Sequence, residues 1–379
     1  VKANTLTALP DISSDFKTFT FHVKPGIYFA PHEVFKGKKR ELTAEDYVYS
    51  IKRVLDPANS APLISEFEGN VVGVDEAIAA ARKSGKFNYD REIEGLRTLD
   101  RYTFQIKLVK SKPIFIYVLT DCRASCAMAR EVVEFYGKDI VSHPVGSGPY
   151  QLVAWKRSSK MVFEPNPNFR EEYFDGEPAP GDKEAETVLK MNKGKRMPMI
   201  YRIEVSVIEE MQPRWISFLG GGQDLLWRLP EEFSTVAVPG NKIAPNLAKQ
   251  EIQFAQVPNL DLVYTFFNMK DAVVGGYMPE KIALRRAISL GYQTDDEIRV
   301  VRKFQAVPAH TPYSPGVAGY DANFKTSANE YSPAKANALL DMFGYNRGTD
   351  GWRTLPNGTP LILKSNSTPT DRDKQIDEV

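Results

Sequence analysis

Residues Val145–Arg170 read VGSGPYQLVAWKRSSKMVFEPNPNFR, and the use of the Gly-Ser-Gly-Pro turn in this stretch decides the fold. Such a turn can cradle a phosphate, but only where the glycines open a helix whose first N–H groups face the anion. Here alternating strand residues follow, and no Gly-Lys-Ser or Gly-Lys-Thr appears. The nucleotide reading therefore fails. The stretch predicts a structural corner at Gly146, Gly148 and Pro149. A hairpin of two short strands around "KRSS" follows, closed by "NPNF".

A second glycine cluster, Gly220–Gly222, fails the same test. It follows the helical pattern "MQPRWISFL" instead of preceding one, so it reads as a C-cap and turn.

The surrounding chain is α/β. "KTFTFHVKPGIYF" sets Phe19, Phe21 and Val23 against Thr20, His22 and Lys24, the period-two pattern of a half-buried strand. His22 falls on its polar face. In "LTAEDYVYSIKRVLDP", Thr43 and Asp46 form a capping-box pair, and Tyr47, Ile51, Val54 and Leu55 recur at helical spacing. "VDEAIAAARKSGKF" predicts a helix closed by Gly85, "RYTFQIKL" a strand, and "AMAREVVEFYG" a helix ending at Gly137. Residues 171–198 are polar and rich in Pro and Gly, which predicts a mobile surface insertion. Beyond it come a strand at "IYRIEVSVI", a short apolar strand after the glycine cluster and an aromatic strand at "LDLVYTFFNMKD". "MPEKIALRRAISLGYQTDDEIRVV" predicts one helix or two, broken near Gly291. In "SPAKANALLDMFGY", Ser332 is the N-cap and Pro333 sits at N1. "TPLILKSN" starts another strand.

The 379 residues allow two or three domains. Lys plus Arg number 49 and Asp plus Glu 48, a net charge of +1. That balance carries no nucleic-acid footprint, which needs a clustered basic excess. No apolar run approaches the ~18 residues of a membrane-spanning helix. The first residues, "VKANTLTALPDISSDF", contain neither Met nor an apolar stretch, as a mature or trimmed product would. The four His are scattered and none pairs with the two Cys at ligand spacing, so neither a metal site nor a cofactor is expected. No Gly-x-Ser-x-Gly or His-Glu-x-x-His occurs.

Five blocks, taken together in order and spacing, resemble one family. They are "FTFHVKPGIYF…LTAEDYVYSIKRVLDP", "VGSGPYQLVAWKRSSKMVFEPNPNF", "WISFLGGGQDLLWRLP", "VYTFFNMKD…LRRAISLGYQTDDEI" and "SPAKANALLDMFGY…DGWRTLPNGTPLIL". The family is the extracellular solute-binding proteins of family 5, the oligopeptide-binding type that serves ABC importers. The resemblance implies a bilobal, type II periplasmic-binding-protein-like fold with an additional α/β subdomain on the first lobe. The expected division is 1–145 for that subdomain, 146–262 for the first lobe proper and 263–379 for the start of an incomplete second lobe. In the family, "VGSGPY" is the corner where the chain re-enters the first lobe. Its glycines are expected to adopt geometries other residues resist. The resemblance further implies that the chain is truncated at both ends.

The implied function is a periplasmic, monomeric receptor without turnover. It would hold a peptide or peptide-like ligand between its lobes and deliver it to the permease subunits of an ABC importer. Candidate ligand contacts are Phe67, Glu68, Trp227, Tyr264, Phe266 and Asn268, each equally readable as a core or structural residue. An alternative within the family is a metal-chelate or haem receptor. An alternative from another class is a hydrolase using Glu45 and Asp46 or His143, although caps and dipole charges explain the two carboxylates. Cys122 and Cys126 lie at i and i+4. An oxidising compartment favours a disulfide between them, a regular helical turn opposes it, and two small buried thiols are the other reading.

Overall fold

The computed structural model describes residues 2–256, 259–368 and 370–378. The chain divides into two compact units, Val1–Ile208 and Glu209–Val379.

The first unit is built on strands β1 (Asp11–Ile12) and β2 (Thr18–His22), helices α1 (Ala44–Leu55) and α2 (Val74–Ser84), and strands β3 (Leu96–Asp100) and β4 (Thr103–Lys107). The strands form an antiparallel sheet in the order β1-β2-β4-β3. Alternation along β2 and β4 sends Phe19, Phe21, Phe104 and Ile106 into the core. Phe21 stacks on Phe104 at 4.6 Å and Tyr47 of α1 stacks on its ring at 5.2 Å. Each such side chain contributes roughly 1.5–3 kcal/mol of burial energy. β3 was not expected from the sequence. It lies on the edge, and only Leu96 at its start is buried, so it lacks the alternating apolar pattern that marks β2 and β4.

Helix α1 starts as its capping pair predicts. The Thr43 N–H donates to Asp46 Oδ2 at 2.7 Å. Asp46, although 2% exposed, is fully engaged, because Arg40 donates to both of its oxygens at 2.9 and 2.6 Å. Arg40 also donates to Glu131 at 2.7 Å. Gly85 ends α2 at φ 73°, a left-handed conformation that glycine takes without a Cβ penalty. Gly95 has a different reason to be glycine. A Cβ there would lie 2.6 Å from the Val72 carbonyl oxygen and 2.7 Å from that of Lys107.

Helices α3 (Cys122–Ser125) and α4 (Arg130–Tyr136) follow. Cys122 and Cys126 are disulfide-bonded across this single turn, with Cα atoms 4.6 Å apart, inside the usual range for such a bond. Cys126 is the C-cap of α3, and the chain turns extended there (φ −63°, ψ 121°).

The hairpin predicted from the opening stretch is β5 (Tyr150–Lys156) and β6 (Lys160–Pro165). It is joined by β7 (Ile203–Ser206) in an antiparallel three-stranded sheet of order β5-β6-β7. Residues 171–198 are more ordered than their composition suggests. They contain helix α5 (Lys183–Asn192), capped by the Asp182 side chain. A short ladder closes the excursion, in which Phe174 N–H donates to the Lys195 carbonyl and Gly194 N–H to that of Phe174. No residue of α5 is buried. Ala185, Val188 and Leu189 recur at helical spacing, a short signal outweighed by the polar, Pro- and Gly-rich surroundings.

The second unit holds α6 (Met211–Leu219), α7 (Glu231–Ala237), α8 (Pro245–Ala248), α9 (Pro279–Gly291), α10 (Thr294–Asp296), α11 (Pro333–Met342) and α12 (Asp371–Glu378). Trp215 of α6 gathers Ala237, Val238 and Leu247 into one small core, and α9 packs on α11 through Ala287, Leu290 and Ala336. The break near Gly291 and the Ser332–Pro333 cap are as expected. The strands expected at "LDLVYTFFNMKD", after the glycine cluster and at "TPLILKSN" do not form. Residues 260–268 belong to no ladder among the described residues. Apolar patterning selects a face, but a strand also needs a partner to take its N–H and C=O groups.

Candidate functional site

The corner is held by hydrogen bonds from the "NPNF" segment. Asn166 is 4% exposed. Its N–H donates to the Pro149 carbonyl and its Nδ2 to the Gly148 carbonyl, each at 2.9 Å. Gly146 accepts from the Ala30 N–H at 2.8 Å, and Asn168 Nδ2 donates to the Phe29 carbonyl at 2.9 Å. The corner therefore ties the hairpin to the loop that follows β2. Its glycines do not act as expected. Neither Gly146 nor Gly148 has a positive φ, and a Cβ on Gly148 would meet nothing within 4 Å. Partners on the neighbouring loops shape the turn, rather than a conformation reserved to glycine.

The expected ligand contacts fall into three groups. Phe67 is 1% exposed and meets Phe115 edge-on at 6.1 Å, so its ring is part of the first unit's core and is withdrawn as a ligand contact. Glu68 is at the surface, where Arg82 donates to it at 3.0 Å. Asn268 forms a turn, its Oδ1 accepting from the Lys270 N–H at 3.0 Å. The remaining three are exposed aromatics of the second unit. Tyr264 is 70% exposed, Phe266 77% and Trp227 76%. The structure brings Tyr264 and Phe266 together, their ring centroids 6.3 Å apart. Both rings are largely exposed beside one another.

The hydrolase candidates are engaged in other roles. Glu45 accepts from Thr98 at 2.7 Å and Asp46 from Thr43 and Arg40. The His143 ring donates from Nδ1 to the Asp139 carbonyl at 2.9 Å. Among the described residues no three His, Cys, Asp or Glu side chains stand together as a metal site. No helix of the described residues is long and apolar enough to cross a membrane.

One cleft lay beyond sequence reading. It measures about 440 Å³, and His32, Tyr136, Ser142, His143, Trp155 and Arg157 line part of it beside the corner. The Val34 N–H donates to His32 Nδ1 at 3.2 Å, so Nε2 carries the proton and donates to Tyr136 Oη at 2.8 Å. The Tyr136 ring stacks on His143 at 4.0 Å. These residues come from three separate stretches of the chain, and none sits in a recognisable motif, so only the closed corner reveals them.

The sequence matches the family model described as bacterial extracellular solute-binding proteins, family 5 Middle, over residues 1–378. The chain belongs to this family. Among curated relatives, Di/tripeptide-binding protein 2 of Pseudomonas aeruginosa is 24% identical over 88% of this chain and 54% of its own length. Heme-binding protein A of Haemophilus influenzae is 22% identical over 95% of this chain and 56% of its own length. The chain thus spans about half the length of the curated relatives it matches. The solved structure of Listeria monocytogenes OppA bound to peptide superposes with a TM-score of 0.64 at 18% identity, covering 99% of this chain and 64% of that one. The fold expected from the sequence, the type II periplasmic-binding-protein fold, is the one found.

Proposed function

We propose that this family 5 chain belongs to a bacterial periplasmic receptor. In this reading it captures a peptide or peptide-like ligand, releases it unchanged and hands it to the permease subunits of an ABC importer. The observation that carries the reading is the match to the family over residues 1–378, joined by relatives named for di- and tripeptide binding. The exposed Tyr264–Phe266 pair supports it, because paired aromatic faces hold peptide side chains and backbone without a fixed sequence preference. Trp227 and Glu68 are further candidates for ligand contact. The first unit would carry the additional subdomain within residues 1–145. The protein acts as a monomer.

The test is native mass spectrometry of the purified protein before and after incubation with a mixture of short peptides, with the free peptides followed for cleavage. A retained or captured peptide of unchanged mass supports the reading. Turnover beyond one equivalent overturns it in favour of an enzyme. The similarity to a heme-binding protein over 95% of the chain favours haem or a metal chelate as the second reading. The same spectra separate it, since a haem or chelate adduct has its own mass and absorbance.

A further inference from the structure

The cleft beside the corner has a one-sided chemistry. Its lining contains Arg157, His32 and His143 and no Asp or Glu, although acids and bases are almost equal in number along the chain. Arg157 donates from Nη2 to Ser142 Oγ at 2.5 Å, which anchors one edge of the guanidinium. Its Cζ lies over the Trp155 ring, 5.7 Å from the ring centroid. No carboxylate lies within 4.0 Å of it among the described residues. Arg157 is thus a permanent charge with most of its five N–H donors free. Aromatic rings line the same cleft: Trp155 near the end of β5, two residues before Arg157, and the Tyr136–His143 stack on the segment before the corner. The tyrosine and histidines are already fixed to one another and to the backbone, so a ligand would not have to order them. The volume suits a small molecule.

We propose that this cleft binds a small organic carboxylate carrying a flat apolar group. Arg157 takes the carboxylate through paired N–H donors, the geometry in which guanidinium and carboxylate match. Trp155 and the Tyr136–His143 stack take the flat group. Two sources share this chemistry, a free aromatic acid and the C-terminus of a peptide that ends in an aromatic residue.

The inference goes beyond the receptor reading and does not rest on it. Calorimetric titration of the whole protein with phenylacetate and with N-acetyl-alanyl-phenylalanine, each beside its neutral amide, tests it. At least one acid is expected to bind with a Kd of about 1 mM or tighter, and its amide about tenfold more weakly or worse. Arg157→Gln is expected to weaken the acid about tenfold and leave the amide unchanged. Binding by one acid alone identifies the source. Equal affinity for acid and amide, no effect of Arg157→Gln, or no binding of either acid overturns the proposal. Arg157 is exposed, so the variant should fold, and an unchanged near-ultraviolet circular dichroism spectrum verifies that. If Arg157→Gln still retains the ligand found by native mass spectrometry, the receptor reading stands whatever the titration gives.

Discussion

Asn168 Nδ2 donates to the carbonyl of Phe29 at 2.9 Å across 139 positions of sequence. Two residues earlier, Asn166 takes the Gly148 carbonyl in the same way. The "NPNF" segment is therefore a clamp whose two amides fasten the end of the hairpin to the corner and to the loop after β2. That clamp makes the corner robust to its own residue types and sensitive to residues outside it.

Asn166→Ala should cost about 1–3 kcal/mol, because it removes a buried side chain whose amide serves the half-buried Gly148 carbonyl. Gly148→Ala should stay within about 0.5 kcal/mol, as neither φ nor space forbids the methyl group. Denaturant midpoints of the two variants measure the contrast. A larger loss at Gly148 than at Asn166 would return the corner to glycine geometry.

Phe67 and Phe266 should separate stability from binding. Phe67→Ala removes a fully buried ring and should cost about 3–5 kcal/mol. Phe266→Ala alters a ring that is 77% exposed. It should leave the melting temperature nearly unchanged while weakening capture of the retained ligand. Thermal scans and binding titrations on the same samples check both halves.

Acid should loosen the first unit through Glu131. Burial pushes its carboxyl up, but the hydrogen bond and charge of Arg40 outweigh that and hold it below the usual glutamate range. A folded value below the unfolded one gives stability that is complete above the ordinary value of about 4.3 and is lost as pH falls through the folded value. The melting temperature should therefore decline as pH drops below about 4. Glu131→Gln should melt lower at neutral pH and show a shallower decline. Parallel curves for the two proteins would remove Glu131 from the account.

The disulfide should matter little to equilibrium stability. It closes a loop of sequence separation 4, for which loop entropy gives about 2 kcal/mol at most. Thiol counting in denaturant should find no free thiol without reductant and two with it. The Cys122→Ser/Cys126→Ser double variant should shift the denaturant midpoint by no more than that amount.

Replacing residues 176–193 by a short Gly/Ser linker should change stability by less than about 1 kcal/mol, because α5 buries nothing. A larger loss, read from thermal scans, would mean that α5 packs against the unit after all.

Much of this architecture was legible in the sequence wherever a signal was local. Thr43 with Asp46, Gly85, Gly291 and Ser332 with Pro333 each mark an end through one cap or one conformation. Phe19, Phe21, Phe104 and Ile106 mark a face through period two. Helix α5 was hidden because its short apolar period, Ala185, Val188 and Leu189, lies among polar residues, Pro and Gly. Residues 260–268 misled because their apolar character describes an environment, whereas a strand is a pairing. The candidate site was the least legible. An aromatic side chain seeks a core and a ligand for the same reason, so Phe67 and Phe266 look alike until burial separates them. The Arg157 cleft draws on residues more than a hundred positions apart, brought together only by the fold.

That closure has a consequence for how the chain is made. During synthesis at about 5–20 residues per second, roughly 7–28 s separate the emergence of Phe29 from that of Asn168. Through that interval the Phe29 carbonyl waits without the partner it finds later. The sheet of β1 to β4 can assemble in the meantime, since its four strands all precede residue 108. The corner cannot. The nascent chain therefore passes through a stage in which its first sheet is formed and the loop after β2 is still unfastened, and the arrival of two asparagines ends that stage.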